Sequence, residues 1–470
     1  MKTIFIVIYG NFTIRYFLLS GLYKKLSKDF KIIILSEYSN DEKFIKKYKY
    51  DNVTFENLYL SKYQKFYKST IYKFFSKIRR LTLRSNKEMY TIQIKEKFLI
   101  EDIKSFNIKA KLFYWFCIYF SRISNSFDFL RDLLIFLENK SFKTFYHQKI
   151  YDKYKPHAII INDLGTIDHT NFIMREVKHN KVKIISLILS WDNLTAKGIG
   201  SIIPDYALVW NKIMYEEIIE NHGLNEDKVK ICGIPQFDML IDNENYNFDI
   251  FPFSSKDNKI IYYPTGSPSW FCDNVKNIAL ILDIIKNQLK NNDIKLVVRP
   301  HPAYFTRDKF INEITEMKEL QKLNSNIFYL NIPEFLVSST SKEFTITDQN
   351  IHKFFVKKSN LILTSFSTMI LEAAIFDKPV INIGFDKIRK LPHYQTHSIC
   401  SNLVHLNKVL SYKFSPVAKK KSELIYYIIN YLDNPKLDSE KRKKLFNDYI
   451  NINFGKSTTK ISSEIKNILK

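Results

Sequence analysis

The sequence predicts an α/β protein built as two doubly wound lobes, and three observations predict it. At 470 residues, the chain exceeds the length at which a single hydrophobic core keeps growing, so two domains are expected. Short apolar runs alternate with helix-like stretches in both halves, the pattern of parallel sheets covered by helices. The most unusual polar clusters follow directly on those apolar runs, at the edge where a parallel sheet gathers its ligand-binding turns.

The strand-like runs of the first half are 4–9, 31–35, 158–161, 184–189 and 206–210, and those of the second are 259–263, 295–298, 361–363 and 380–383. Periodicity lapses at 242–256, where Asn, Asp, Ser and Pro accumulate as in a linker. The expected domains are therefore residues 1–241 and 257–470. Residues 59–148 break the rhythm of the first lobe: they are rich in Lys, Phe, Tyr and Leu, with apolar residues at helical spacing. They read as an insertion of amphipathic helices, packed on the lobe, or else offering a basic, aromatic surface that rests on anionic lipid or receives a lipid-linked acceptor.

Composition narrows the class further. Hydrophobic residues at 45% and charged residues at 26% are ordinary for a folded domain. The net charge of +24 and pI of about 9.5 raise nucleic acid as a partner, yet the lysines are spread along the chain and no zinc, helix-turn-helix or RNP motif accompanies them. The lysines, interleaved with Asn, Ile, Phe and Tyr, fit a simple compositional bias as well as attraction to an anionic partner, either a membrane surface or a phosphorylated substrate, and the charge does not name the partner. Cys117, Cys232, Cys272 and Cys400 form neither a disulfide framework nor a metal pair, so a reducing cytoplasm fits and neither a metal nor a cofactor is expected. The longest apolar stretch, 112–121, falls well short of the ~20 residues that span a bilayer. The expected location is the cytoplasm, with the cytoplasmic face of the inner membrane as a peripheral site.

In the second half, Thr265-Gly266-Ser267 follows one strand, Arg299-Pro300-His301-Pro302 the next, and Thr364-Ser365-Phe366-Ser367-Thr368 a third. Hydroxyls at a helix start suit a diphosphate, so Ser365, Ser367 and Thr368 are candidate donor ligands and Glu372 a ribose acceptor. Plain helix capping is the alternative. Two prolines hold His301 extended beside Arg299, which points both toward phosphate. Thr265, Gly266 and Ser267 offer close backbone approach or simply a turn. In the first half, Asp163, Asp192 and His169 are candidate general bases for an acceptor hydroxyl. Asp163 as an Asx-turn residue and Asp192 as a helix cap stay open as alternatives. Trp191 could stack on a sugar, with Asn193 and Lys197 for hydroxyls or phosphate.

The segments SWDNLTAKG, VVRPHP and SNLILTSFSTMILEAAIFDKPVINIGFD resemble the GT-B superfamily. The likeness is to bacterial surface-polysaccharide enzymes near the CDP-glycerol glycerophosphotransferases and the UDP-N-acetylglucosamine 2-epimerase-like proteins. The resemblance implies two Rossmann-like domains facing a central cleft, with a nucleotide-diphosphate donor on the second and a glycan or lipid-linked acceptor on the first. It places the family's RxHP histidine on His301 and its hydroxyl-rich helix start on Ser365, Ser367, Thr368 and Glu372. It also implies chemistry without a catalytic metal. A histidine of the glycerophosphotransferase pattern on the amino-terminal side is not matched, which favours a glycosyltransferase using a nucleotide-sugar. UDP-sugar 2-epimerase and glycerophosphotransferase are the enzymatic alternatives, and a basic nucleic-acid-binding protein is the non-enzymatic one.

Overall fold

A computed structural model describes the chain except residues 85–88, 242–251, 254–257, 272, 292, 338–341 and 386–396. The linker read at 242–256 lies almost wholly outside the described residues. The chain divides into two compact units, one of Met1–Asp242 with Tyr449–Lys470, the other of Asn243–Leu336 with Lys342–Asp448.

The first unit carries β1 (Lys2–Ile8), β2 (Phe30–Ser36), β3 (Val53–Asn57), β4 (Ala158–Ile161), β5 (Lys183–Leu187), β6 (Tyr206–Val209) and β7 (Val229–Ile231), in the order β3-β2-β1-β4-β5-β6-β7. Neighbours pair in parallel throughout. The alternation of a strand explains why these runs read as continuously apolar. Ile4, Ile6 and Ile8 enter the core on one face while Phe5 and Val7 enter the core on the other, so both faces are covered. β3 escaped the sequence reading because it is an edge strand and none of its residues is fully buried.

Between β3 and β4 lie the helices α1 (Thr70–Arg80), α2 (Tyr90–Lys104), α3 (Ile108–Ser126) and α4 (Asp128–Ser141). A buried ion cluster ties them to α5 (Asp168–His179). Glu138 of α4 accepts from Arg79 Nε of α1 at 2.8 Å and from Arg175 Nη2 of α5 at 2.6 Å. The chain end also belongs to this unit, which differs from the expected boundary of the second domain at 470. The closing helix (Ser457–Leu469) buries Ile461, Ile465, Ile468 and Leu469 in the core beside β1 and β2. Burial of four such aliphatic side chains is worth about 6–12 kcal/mol before entropy, which outweighs any tendency to stay with the neighbouring sequence.

The second unit has β8 (Lys259–Pro264), β9 (Ile294–Arg299), β10 (Phe328–Leu330), a separate two-stranded pair β11 (Phe335–Val337) and β12 (Lys342–Phe344), then β13 (Leu361–Thr364), β14 (Val380–Ile383) and β15 (Val417–Ala418). The main sheet runs β10-β9-β8-β13-β14-β15 and is parallel in every pair. The helices α6 (Ile346–Lys358) and α7 (Met369–Ile375) flank β13 in sequence. Strand order reverses between β1 and β4 in the first sheet and between β8 and β13 in the second, and such reversal points are where open α/β sheets bind ligands.

Candidate active site

In the second unit, the turns after β8, β9 and β13 leave adjacent strand ends. The first two are joined directly: the His301 backbone N–H donates to Thr265 Oγ1 at 2.9 Å, and Thr265 N–H donates to the Arg299 carbonyl at 2.9 Å. His301 Nδ1 accepts from the Ala303 N–H at 3.1 Å. The neutral ring therefore carries its proton on Nε2, leaving that nitrogen as a donor. Burial pushes the imidazole pKa down to about 4, so the ring is a neutral donor at physiological pH and not a cation.

The Gly266 position is closed to any side chain, since an added Cβ would stand 2.4 Å from the Phe271 ring. The Gly266 carbonyl and the Tyr304 hydroxyl are both bonded by the Asn274 amide, at 3.0 and 2.9 Å. The turn's shape is thus set by a buried polar network under it. After β13, Phe366 has a φ of 50°, a left-handed conformation that a bulky residue adopts only when its surroundings impose it. Its N–H donates to Asn382 Oδ1 at 3.2 Å. Ser367 Oγ lies 2.7 Å from Thr364 Oγ1 and accepts from the Met369 N–H at 3.2 Å. The capping alternative is therefore realised for Ser367, while Thr368 makes no side-chain cap bond.

Three sequence expectations are altered by packing. Arg299 does not offer its charge outward: its guanidinium is buried and bonds Asp348 Oδ2 and Asn331 Oδ1, each at 2.5 Å. Ser365 is fully buried near the Tyr263 hydroxyl, whose pKa it helps lower against the effect of burial. Glu372 accepts from His352 Nε2 at 2.8 Å, and His352 Nδ1 is held in turn by the Tyr262 hydroxyl at 2.8 Å. Asp348 and His352 were missed because nothing local marks a partner 49 or 20 residues away. The only hint was the Thr345-x-x-Asp348 helix start, in which Thr345 Oγ1 accepts the Asp348 N–H at 2.9 Å.

In the first unit, the β4 end places Asp163 and the start of α5 places His169. Asp163 Oδ1 accepts from Thr166 N at 2.9 Å and Thr170 Oγ1 at 3.0 Å, which is the turn role considered above. Its Oδ2 is buried without a hydrogen bond of normal geometry among the described residues, as is His169 Nε2. Burial raises the Asp163 pKa to about 6, against the pull of Thr170 and the 165–167 backbone. Burial lowers His169 to about 4, and its ring meets Tyr9, from the end of β1, at 4.2 Å between centroids.

The second acidic candidate sits one strand further on. Asp192 Oδ1 accepts from Ser190 Oγ at 2.5 Å, and Oδ2 lies 3.7 Å from Lys197 Nζ. Its side chain caps nothing in the following turn, so the cap alternative is not realised. Asn193 donates its N–H to the Ser190 carbonyl at 3.1 Å, closing the same loop. Trp191 is buried, 6% exposed, so most of its ring is packed against protein. Lys95 of α2, not singled out in the sequence, donates to the Ala196 carbonyl of this loop. Burial and nearby Lys197 push its pKa down to about 8.

A family model described as CDP-Glycerol:Poly(glycerophosphate) glycerophosphotransferase matches residues 200–467, more than half of the chain. The chain belongs to this family. The match takes in all three turns of the glycerophosphotransferase-family second unit, whereas Asp163, His169 and Asp192 precede it. Among solved structures, a UDP-GlcNAc 2-epimerase from Neisseria meningitidis bound to UDP-GlcNAc is similar at a TM-score of 0.56 and 12% identity, over 99% of this chain and 100% of that one. The S. aureus MnaA–UDP co-structure is similar at a TM-score of 0.55 and 13% identity, over 100% and 97%. These likenesses show the two-domain GT-B type of fold. An uncharacterized protein of Methanocaldococcus jannaschii, MJ1060, is 25% identical over 142 residues, 30% of this chain, and the chain spans 24% of that protein's length.

Asp163→Asn separates stability from function. A carboxyl whose folded pKa is raised is stabilised in its neutral form below the unfolded value near 4, and that contribution is lost as pH rises through about 6. Asparagine keeps the Oδ1 acceptor and never ionises. The variant is expected to be more stable than the parent by about 2–3 kcal/mol at pH 7.5 and near parity at pH 4, measured by urea melts at both values. A variant less stable at pH 7.5 would show that the carboxylate is held by compensating charge.

Proposed function

We propose that the chain transfers a group from a nucleotide-diphosphate-activated donor to a hydroxyl of a surface-glycan or lipid-linked acceptor. A nucleotide-sugar is the donor the sequence favours. The observation that carries this reading is the second-unit rim, where the His301 backbone N–H bonds Thr265 Oγ1 and ties the turn after β9 to the Thr265–Ser267 turn after β8, one strand from the Ser367–Thr368 turn. N–H and O–H donors on neighbouring turns at a strand-order reversal suit the charge that gathers on a leaving diphosphate. A neutral donor can stabilise that charge without competing for the proton. Two of the similar structures hold UDP or UDP-GlcNAc, which supports a nucleotide as the ligand.

In the first unit, Asp163, with one oxygen uncommitted and a pKa near 6, is suited to take the proton of an attacking hydroxyl. His169 is its neighbour in this role, and Asp192 with Lys197 is the second candidate pair. Metal-independent chemistry belongs to the same proposal, as does a cytoplasmic workplace in which buried thiols such as Cys117 and Cys232 stay reduced. Glycerol-phosphate transfer from CDP-glycerol is a second reading, favoured by the family match over residues 200–467.

The test is a thermal-shift series with UDP-, GDP-, dTDP- and CMP-sugars beside CDP-glycerol. A specific donor at 100 times its dissociation constant adds about 2.7 kcal/mol of stability. Nucleotide release that depends on added acceptor and survives EDTA then marks transfer. Release-free isomerisation would assign a 2-epimerase, and a chain that no nucleotide stabilises would end the proposal.

A further inference from the structure

A polar atom buried without a partner is rare in a folded protein, because it gives up its water and receives nothing in return. Among the described residues, four such atoms gather at one place in the first unit. Asn162, which follows β4, is 0% exposed, and neither its Oδ1 nor its Nδ2 makes a hydrogen bond of normal geometry there. The other two are Oδ2 of the adjacent Asp163 and Nε2 of His169. Tyr9 closes the group from the neighbouring strand. β1 runs beside β4 with Ile6 level with Ile160, and continuing that register sets Tyr9 level with Asp163. Burial, and then the Asp163 carboxyl, raise the pKa of the Tyr9 hydroxyl, while Asn162 pulls the other way. The Tyr9 ring meets His169 edge-on.

The walls of this place are fixed by bonds that leave the four atoms out. Asp163 Oδ1 accepts from the Thr166 N–H and the Thr170 hydroxyl, and the Asp163 carbonyl accepts from Ser186 Oγ of β5. In the turn after β1, Thr13 Oγ1 accepts from the N–H groups of Tyr9 and Gly10 at 3.1 and 3.2 Å. Phe12, in that same turn, is 76% exposed. These facts select a ligand class. The two N–H groups that would face an anion at this turn are taken by Thr13, and the pulls on the Asp163 carboxyl come from Thr170 and the 165–167 backbone, not from a cation. A phosphate would meet a carboxyl group there. Asn162 and Asp163 supply acceptors, Asn162 and Tyr9 supply donors, and a hydroxyl is the group that uses both at once. An exposed aromatic ring beside them suits the apolar face of a sugar.

We propose that Tyr9, Asn162 and His169, with Phe12 as a stacking face, bind the uncharged, vicinal-diol end of a carbohydrate or polyol acceptor and hold one of its hydroxyls against Asp163 Oδ2. The inference rests on the transfer reading above, in which Asp163 faces the acceptor, and adds the chemical class of that acceptor: neutral at its reacting end, with hydroxyls on neighbouring carbons. Tyr9, Asn162 and Phe12 are then residues that determine acceptor specificity.

The full chain is tested by saturation-transfer NMR with methyl glucoside, glycerol and methyl 3-deoxyglucoside, which has no two hydroxyls on neighbouring carbons. Methyl glucoside or glycerol should receive saturation, the 3-deoxy compound should not, and inorganic phosphate should displace neither. Tyr9→Phe and Asn162→Leu should each weaken polyol binding about tenfold, and Phe12→Ser about fivefold, with nucleotide affinity unchanged in all three. Asn162→Leu should also unfold in urea no earlier than the parent, because an apolar side chain of similar size removes two polar atoms that have no partner. The inference is overturned if inorganic phosphate displaces the polyol or if the 3-deoxy compound binds as well as methyl glucoside. An Asn162→Leu protein that is less stable yet binds polyol as before would also overturn it, since the amide would then hold only ordered water. A parent that binds nucleotide but none of the polyols sinks this inference and leaves the transfer reading standing. Polyol binding by a parent that no nucleotide stabilises supports the site and sinks the transfer reading.

Discussion

Replacing His301 by alanine is expected to weaken binding of the nucleotide donor by about 10–100-fold, the worth of one hydrogen bond to a charged phosphate. The ring is fixed by the Ala303 N–H on Nδ1, so its Nε2–H is already aimed and little ordering cost is recovered on its removal. The same bond costs about 1 kcal/mol of stability when lost, so affinity is read by calorimetric titration at a temperature where both proteins are folded. His301→Gln returns an N–H donor near the Nε2 position and should recover part of the loss, which a merely structural role would not predict. Ser367→Ala should cost less, about fivefold, because its hydroxyl is shared between Thr364 and the Met369 N–H. Donor affinity should be flat from pH 5.5 to 8, since an imidazole with a pKa near 4 does not titrate there. Affinity that rises as pH falls through 6.5 would mean that a histidine cation, and not a neutral donor, grips the phosphate.

Glu138→Ala is expected to destabilise the first unit by about 3–5 kcal/mol, the cost of leaving a buried charge without its partner. Glu138 is 0% exposed and serves two guanidiniums, Arg79 and Arg175, neither of which can lose its proton. Asp132→Ala, at an exposed pair with Arg84, should cost less than ~1 kcal/mol and serves as the control in the same urea melts. A functional consequence should follow from the same helix. The Arg79 carbonyl accepts the Ile199 N–H at 3.0 Å, and a Cβ at Gly198 would come within 2.2 Å of it. The loop bearing Asp192 and Lys197 is therefore seated on the end of α1, and loosening α1 should slow turnover before it alters donor affinity in the second unit. A Glu138→Ala loss below 1 kcal/mol would mean that apolar packing alone holds the insertion.

The two parallel sheets were legible in the sequence because a strand buried on both faces must be apolar at every position, as Ile4 to Ile8 are. The ligand turns were legible for a related reason: a polar cluster placed directly after such a run has to leave the sheet at its carboxyl rim. Residues 265–267, 299–302 and 364–368 thereby fall on three adjacent strand ends. The family resemblance rested on those same segments. What no local pattern carried was pairing at a distance. Arg299 was read as a donor ligand, yet Asp348 neutralises it, and Trp191 was read as a sugar platform, yet only 6% of it is exposed. Whether a side chain turns inward or outward at a strand end depends on which partner the fold delivers there.

By itself, then, the sequence determined the two-sheet architecture, the helical character of the insertion and the identity of the rim turns, because each follows from periodicity over a few neighbouring residues. Only the tertiary structure decided the tautomer of His301, the raised pKa of Asp163, the return of Ser457–Leu469 to the first unit and the burial of Asn162 beside Tyr9. Each of these depends on contacts or solvent exclusion set by segments far away in the chain. Burial and charge pairing are properties of a place in space, and a one-dimensional pattern fixes the place only after folding has brought its walls together.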